Sequence, residues 1–302
     1  MAKVSVIIAT RNEEDTIGAL VRSLKDQTEP PYEILVIDGN SSDRTRDVAK
    51  KAGAKVIPET GAKRSPSNAW NIGVSRAKGD IVLLLGGDFL IEDRGLLKKA
   101  TKPFAEKRTV GVYTSVRSTT DTFFKRIMAA SGKSIQPFFI RRDIYRKLGG
   151  YPVLGYGEEM VLTQKLLDHC RDHGTKMPYI QEAYIGGHPV GSLHELFWQA
   201  EWYGRTMVPF LSVYKKNFGT RAFSRKAAAM NMRSAYVIAF LSAAVGSTAG
   251  LFVFASMFAL TVLKNLGKPL RVLKVFTNLV YGFGFLYGLL RYAAGDRRLG
   301  RR

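Results

Sequence analysis

Ile81-Val82-Leu83-Leu84-Leu85-Gly86-Gly87-Asp88 decides the fold. An unbroken apolar run introduced by Lys78-Gly79-Asp80 reads as a strand covered on both faces, the pattern of a parallel sheet flanked by helices. Ligands of open α/β sheets sit at the carboxyl ends of such strands, which makes Asp88 the candidate for holding a metal ion or a phosphate-bearing ligand. Taken alone, Gly86-Gly87-Asp88 reads equally well as a tight turn, since Gly and Asp are turn residues.

Outward from this strand the same pattern repeats. Apolar stretches at 4–9, 34–38, 54–57 and 110–116 read as further strands, and amphipathic stretches at 16–25, 43–52, 66–77 and 93–104 as the intervening helices. Ser65 followed by Pro66 is an N-cap with proline at the first helical position, a strong start signal. The expectation is a Rossmann-like α/β domain without internal repeats. Beyond Asp121 the pattern loosens, with a helix expected at 158–170 carrying Val161, Leu162, Leu166 and Leu167 along one stripe. Cys170, the one cysteine, reads as a small buried apolar residue and excludes a disulfide framework.

The final third differs in charge and hydropathy. Residues 1–210 hold 31 Lys and Arg against 24 Asp and Glu, whereas 211–302 hold 15 against Asp296 alone. Between Arg233 and Lys264 lie 30 consecutive uncharged residues, and a second apolar run covers 275–290. A span needs about 20 apolar residues, so this region reads as membrane material, and its basic residues as partners of anionic headgroups; nucleic acid is not expected as a partner. A single helix through 234–263 would be roughly 45 Å long against a hydrocarbon core of about 30 Å. A hairpin turning at 246–250, followed by a helix at 270–292, gives three spans; two spans are the alternative. Ser192 to Glu195 fits a capping box opening a helix at 192–214 that carries Phe197, Trp198, Trp202 and Tyr203. Such interleaved aromatics suit a bilayer surface, although an ordinary amphipathic helix has the same pattern. With no signal peptide before the first strand, an integral protein of the cell membrane with a cytoplasmic catalytic domain is expected.

Thr10-Arg11-Asn12-Glu13 follows the first strand, Asp38-Gly39-Asn40-Ser41-Ser42-Asp43 the second and Gly86-Gly87-Asp88 the fourth, so all three lie on one rim of a parallel sheet. That rim offers acceptors for a nucleobase and ribose hydroxyls, and one carboxylate for a divalent cation. Gly157-Glu158-Glu159 adds an acid pair that could act in proton transfer, or could merely complement the dipole of the helix it opens.

In this order and spacing the segments resemble the family 2 glycosyltransferases of the GT-A fold. Val4 to Glu14 looks like that family's opening strand and Asn-Glu loop, and Leu35-Val36-Ile37-Asp38-Gly39-Asn40-Ser41-Ser42-Asp43-Arg44-Thr45 like its Val-Asp-Asp-Gly-Ser-x-Asp-x-Thr. Asn68-Ala69-Trp70-Asn71-Ile72-Gly73-Val74, Leu148-Gly149-Gly150-Tyr151 and Gly157-Glu158-Glu159 fit its later segments, so the likeness covers about residues 4–205. The resemblance implies a nucleotide-diphospho-sugar donor held by Thr10, Asn12, Glu13, Asp38, Asn40, Lys63, Arg64, Asn71 and Gly87. It implies Glu159 as the base of an inverting transfer, with Glu158 orienting beside it.

Two departures matter. The family's metal motif is usually Asp-x-Asp, and here Gly86 stands at the first acid, leaving Asp88 to share the ion with diphosphate oxygens and with His188 as an added ligand; imidazole favours Mn²⁺ over Mg²⁺. His188 also reads as an ordinary loop histidine, Lys63 and Arg64 as a solvated basic turn, and Trp70 as a core aromatic. Gln199-Ala200-Glu201-Trp202-Tyr203 is a near miss to the Gln-x-x-Arg-Trp of processive synthases.

Arg141, Arg142, Trp202 and Arg205 are the candidates for meeting an acceptor, the two arginines at 141–142 reading also as a surface pair. The whole reads as a GT-A catalytic domain (1–190), interfacial helices (191–226) and a transmembrane domain (227–302). The expected reaction carries a hexose, mannose from GDP-mannose first by resemblance to dolichyl-phosphate mannose synthases, to a polyprenyl or dolichyl phosphate or a lipid-linked saccharide. A processive cellulose-synthase-like enzyme and a non-catalytic nucleotide-sugar or lipid-binding scaffold are the alternatives.

Overall fold

A computed structural model of the chain describes residues 2–61, 64–118, 132–133, 138–155, 157–187, 192–230, 246, 248–264 and 274–298. It divides into two compact units, Met1–Thr119 with Ala130–His188, and Thr120–Ala129 with Pro189–Arg302.

In the first unit, β1 (Val4–Thr10), β2 (Glu33–Asp38), β3 (Lys55–Pro58) and β4 (Ile81–Gly86) are parallel and lie in the order β3-β2-β1-β4. The crossovers are α1 (Ile17–Lys25), α2 (Thr45–Lys51) and α3 (Pro66–Arg76). Every residue of β1 and the five apolar residues of β4 are buried, as strands covered on both faces must be. Ser65 caps α3 by accepting from the Asn68 amide at 3.2 Å.

The sheet is wider and more mixed than the alternating pattern predicts. After α4 (Leu96–Thr101) and one turn of 3₁₀ helix (Lys102–Ala105) come β5 (Gly111–Ser118), β6 (Gly132–Lys133) and β7 (Phe139–Arg141). β7 pairs antiparallel with β4 and β5, and β8 (Tyr179–Gly187) joins β5 in parallel beyond α5 (Arg142–Lys147) and α6 (Glu158–His173). At three residues β7 is too short for its periodicity to register. Cys170 is a free thiol, only partly buried on α6.

The sheet is cored on both faces. Val6, Ile8, Leu83 and Leu85 pack with α1 and α4, while Ile7, Leu35, Ile37 and Leu84 pack with α3 and α6. α3 rides close on β1 because Gly73 has no side chain: a Cβ there would overlap Ile7 Cγ2 and stand 3.3 Å from Ile37 Cγ1.

The second unit is helical: α7 (Leu193–Met230), α8 (Thr248–Lys264) and α9 (Lys274–Ala293). Ser192 accepts from the Glu195 amide at 3.1 Å, as the capping box predicts, but α7 runs well past 214 and breaks its helical geometry only at Gly219 (φ 80°). α7 packs on α9, since Gly204, Gly284 and Gly288 bring the two backbones together. A Cβ at Gly204 would overlap the Phe285 carbonyl, and one at Gly288 the Glu201 carbonyl. Among the described residues no helix is long and apolar enough to cross a membrane. Residues 231–245 and 265–273, which carry much of the expected spans, lie outside the described residues. α8 nevertheless exposes Leu251, Phe252, Val253 and Leu260.

Gly73→Val is expected to lower the stability of the first unit by about 1–3 kcal/mol through overpacking. A urea midpoint equal to wild type would show that α3 does not depend on this close approach.

Candidate active site

Register builds the site. Thr10 pairs with Asp38 and Ala9 with Gly86, so the ends of β2, β1 and β4 are level. The ladder continues one step further, with the Gly39 amide donating to the Thr10 carbonyl at 2.8 Å and the Gly87 amide to the Ala9 carbonyl at 2.9 Å. Gly87 lies directly on Thr10, where a Cβ would come 2.5 Å from Oγ1. The Thr10 hydroxyl is buried with no hydrogen-bond partner among the described residues.

Asp38 is 2% exposed and held by Ser41, whose hydroxyl donates at 2.5 Å and whose amide donates at 3.2 Å; Arg46 Nε lies 3.8 Å away. The same Ser41 hydroxyl accepts from the Asn12 amide at 3.0 Å, while Asn12 Oδ1 accepts from the Ser42 amide at 2.9 Å. The Glu13 amide donates to Thr45 Oγ1 at 2.7 Å and the Glu13 carboxylate accepts from Thr16 Oγ1 at 3.1 Å. These groups clamp the β1 loop to the β2 loop, and Asn12 and Asn40 take left-handed backbone angles (φ 56° and 67°) to do so. The Asn40 side chain stays exposed.

Asp88 is exposed and makes no hydrogen bond or ion pair with any described residue. Its carboxylate folds back over Gly86, with Oδ1 2.6 Å from where a Cβ at 86 would stand. The lack of a side chain at Gly86 therefore leaves room for the Asp88 carboxylate. A divalent cation fits here in the chemistry of its donors: a free hard-oxygen ligand at a strand end, with the rest of the shell left for diphosphate and water. No group of three His, Cys, Asp or Glu gathers among the described residues to hold an ion by protein alone. His188 and Lys63 lie outside the described residues. Arg64 is exposed beside the capped start of α3.

The acid pair opens α6, where Gly157 takes the left-handed angle (φ 77°) before the first turn. Glu158 is 5% exposed with Oε2 unpartnered among the described residues, while Glu159 is half-buried. Burial first, and then the charge of Glu159, push the Glu158 carboxyl up to about 8. Trp70 and Tyr151 connect this pair to the rim. Trp70 Nε1 donates to the Leu85 carbonyl at 2.8 Å, its ring lies 5.2 Å from that of Tyr151, and the buried Tyr151 phenol is raised by burial, by Tyr145 and then by both glutamates. Trp70 packs against the core cluster on the α3 face, as the core-aromatic reading expects.

Several candidates are committed elsewhere. Asn71 Oδ1 accepts from the Tyr145 hydroxyl at 2.7 Å and the Tyr151 amide at 3.1 Å, and Nδ2 donates to the Tyr151 carbonyl at 2.8 Å. Its amide fixes the Gly149-Gly150-Tyr151 turn, with one Nδ2 hydrogen not used in these bonds. Arg141 pairs with Ile81 at the opposite end of β4 and donates to the carbonyls of Thr109 and Phe104 at 2.7 and 2.8 Å. Arg142 donates to the Ala77 carbonyl at 2.8 Å, closing the end of α3. Both therefore serve the fold at the wrong rim for an acceptor. In the second unit Arg205 is 3% exposed and paired with Glu201 at 3.0 Å, in a network with Arg291 and Asp296, so it is no acceptor contact either. Trp202 remains half-exposed.

Glu59, immediately after β3, escapes the motif reading. Its amide donates to the Asp38 carbonyl at 2.8 Å, and its Oε1 accepts from the Ser65 amide at 2.9 Å and Asn68 Nδ2 at 2.7 Å. The strand-end rule that selects Asp38 and Asp88 applies equally to β3 and would have found it.

The glycosyl transferase family 2 model matches residues 5–167. A 4,4'-diaponeurosporenoate glycosyltransferase of Staphylococcus haemolyticus is 31% identical over 116 residues, 36% of this chain and 30% of its own length. A dolichyl N-acetyl-α-D-glucosaminyl phosphate 3-β-D-2,3-diacetamido-2,3-dideoxy-β-D-glucuronosyltransferase of Methanococcus voltae is 38% identical over 90 residues, 28% of each. The match thus spans less than a third of either relative. In structure the chain is similar to a mannosyltransferase of Pyrobaculum calidifontis solved with GDP-Man and Mn²⁺, with TM-score 0.64 at 18% identity over 98% of this chain and 88% of that one. A glucosyl-3-phosphoglycerate synthase of Mycobacterium tuberculosis gives TM-score 0.51 at 19% identity over 69% and 79%. With more than half of its residues matched by that family's model, this chain belongs to glycosyl transferase family 2.

Proposed function

We propose that the chain is an inverting glycosyltransferase that moves a hexose, mannose from GDP-mannose first, to a lipid phosphate or lipid-linked saccharide at the cell membrane, with its catalytic unit in the cytoplasm. The observation that carries the catalytic reading is the level rim of Thr10, Asp38, Gly87 and Asp88, joined through Trp70 and Tyr151 to Glu158 and Glu159. The membrane reading rests on the basic excess of residues 211–302 and on the apolar side chains that α8 exposes.

Asp38 and the buried Thr10 hydroxyl meet the nucleoside, with Arg64 and the start of α3 near the diphosphate. Asp88 would hold the divalent cation, Mn²⁺ before Mg²⁺, whose charge offsets that of the leaving diphosphate when bound. The acceptor oxygen attacks the anomeric carbon opposite the diphosphate, a new C–O bond forms as the old one breaks, and the bonding pair leaves with the diphosphate. Where the acceptor is a hydroxyl, its proton passes to the Glu159 carboxylate. Glu158, whose carboxyl burial and then the charge of Glu159 push up to about 8, orients beside it. A phosphate acceptor arrives ionised and needs only to be positioned.

Asp88→Asn is expected to abolish the rise in melting temperature that Mn²⁺ and GDP together give, and to lower transfer on the order of 10²–10³-fold, the size of losing one group that stabilises developing charge. Unaltered stabilisation and turnover would remove Asp88 from the site; an inactive wild type that still binds the nucleotide would point to a scaffold. Glu159→Gln is expected to bind donor normally and to lose roughly 10²–10⁴-fold in transfer to a hydroxyl acceptor.

Glu158 has a distinct signature. A carboxyl raised from 4.5 to about 8 on folding holds its proton only in the native state, so its contribution to stability is fully present below about pH 4.5 and is lost as pH rises toward 8. Glu158→Gln is expected to flatten that decline in chemical denaturation across pH 5–8 while retaining transfer. An unchanged pH profile would mean that Glu158 ionises normally.

A further inference from the structure

We propose that the C-terminal end of α9 and the turn beyond it, where Arg291, Arg297 and Arg298 surround Asp296, form a binding site for the phosphate of an anionic membrane lipid. The proposal rests on the membrane reading of the second unit. Over residues 189–302 the acids are Glu195, Glu201 and Asp296 alone. Glu201, on α7, accepts from Arg205 Nε at 3.0 Å and from Arg291 Nη1 at 2.8 Å. Asp296 answers the rest: Oδ2 accepts from Arg291 Nη2 and from Arg298 Nη2 at 2.7 Å, Oδ1 accepts from Arg298 Nε at 3.0 Å, and Arg205 Nε lies 3.9 Å away. Two carboxylates thus serve three guanidiniums. Arg297 beside them makes no ion pair with any described residue and lies over the Tyr292 ring, 3.7 Å from its centroid.

The surplus charge is positive and lies at the surface. Arg298 keeps 65% of its side chain exposed against 3% for Arg205, so the inner pairs tie the helices together while the outer guanidinium faces out. That guanidinium grips both oxygens of Asp296, the fork geometry with which arginine also takes a phosphate. Asp296 therefore stands in the place of a lipid phosphate, as a competitor built into the chain. Aromatic rings collar this end: Arg291 lies 6.0 Å from the Tyr287 ring, and the exposed Tyr287 is 6.0 Å from Phe197 and 6.3 Å from Trp198. Arginine interleaved with Tyr and Trp suits the headgroup level of a bilayer, where basic side chains meet anionic lipid. Free phosphate has to displace Asp296 from dilute solution, whereas a headgroup beside a membrane-bound chain competes at high effective concentration, which favours the lipid as the source.

The test uses the full chain in dodecyl maltoside micelles doped with phosphatidylglycerol or phosphatidylcholine and reads the thermal midpoint, which rises when a ligand binds only the native state. Wild type is expected to be stabilised by phosphatidylglycerol, and neither by phosphatidylcholine at the same mole fraction nor by inorganic phosphate. Arg298→Gln is expected to need about fivefold more phosphatidylglycerol for the same rise, the weight of one basic side chain at an anionic surface. Asp296→Asn carries the opposite sign. With the competitor gone, it is expected to reach half of its full rise at about fivefold less phosphatidylglycerol, even if its lipid-free midpoint is lower. A carboxylate that only ties down the turn would leave Asp296→Asn with a wild-type or weaker lipid response, and that result overturns the proposal. So does an unaltered response in Arg298→Gln, an exposed position that keeps the test decisive even if Asp296→Asn does not fold. Inorganic phosphate matching phosphatidylglycerol would overturn the lipid assignment. Equal stabilisation of wild type by both lipids overturns the site and leaves the membrane reading standing, whereas a chain that stays monodisperse without detergent and gains nothing from either lipid overturns both.

Discussion

The in-register parallel pairing of β2, β1 and β4 is the constraint from which the rest follows. Backbone hydrogen bonds level the three strand ends to the residue, and the bonds from Gly39 to Thr10 and from Gly87 to Ala9 carry that alignment into the loops. A slip of one residue would send Asp38 to the opposite face and bury a charge in the apolar layer that Ile37 occupies. The buried strands exclude such a slip because Ile7, Ile8, Leu83, Leu84 and their neighbours already fill both layers. Hydrophobic burial fixes the register, and the register fixes the chemistry.

On that frame, similar carboxyl groups acquire different characters from their surroundings. Asp38 is buried but satisfied by Ser41, which keeps its charge in place and its direction fixed. Asp88 is exposed and makes no ion pair with any described residue, so its carboxylate faces water. Glu158 is buried beside Glu159, and burial first and the neighbouring charge second raise its carboxyl above the ordinary carboxylate range. Neighbouring acids with separated tasks need no difference in residue type, only a difference in enclosure.

The helical unit obeys another rule. Gly204, Gly284 and Gly288 let α7 and α9 approach backbone to backbone, and the charges that remain inside are gathered as Glu201, Arg205, Arg291 and Asp296 so that none is buried alone. Arg205 looked available in sequence because its neighbours are aromatic and polar. Its nearest partner, Glu201, lies one turn back on the same helix, but Arg291 and Asp296, which complete the network, come from about ninety positions later, a distance over which periodicity carries no information.

Local grammar explains what the sequence by itself determined: the four parallel strands, the Ser65 and Ser192 caps, and the rim with Asp38 and Asp88, since period, capping and strand-end position are properties of short segments. Only the tertiary structure decided which polar side chains were already engaged. Asn71, Arg141 and Arg142 satisfy backbone groups from distant segments, and whether a guanidinium meets a carbonyl or a phosphate depends on which loops fold against it. The same holds for Glu59 and for the Trp70–Tyr151 link, whose meaning lies in contacts between strands and helices that no spacing along the chain records.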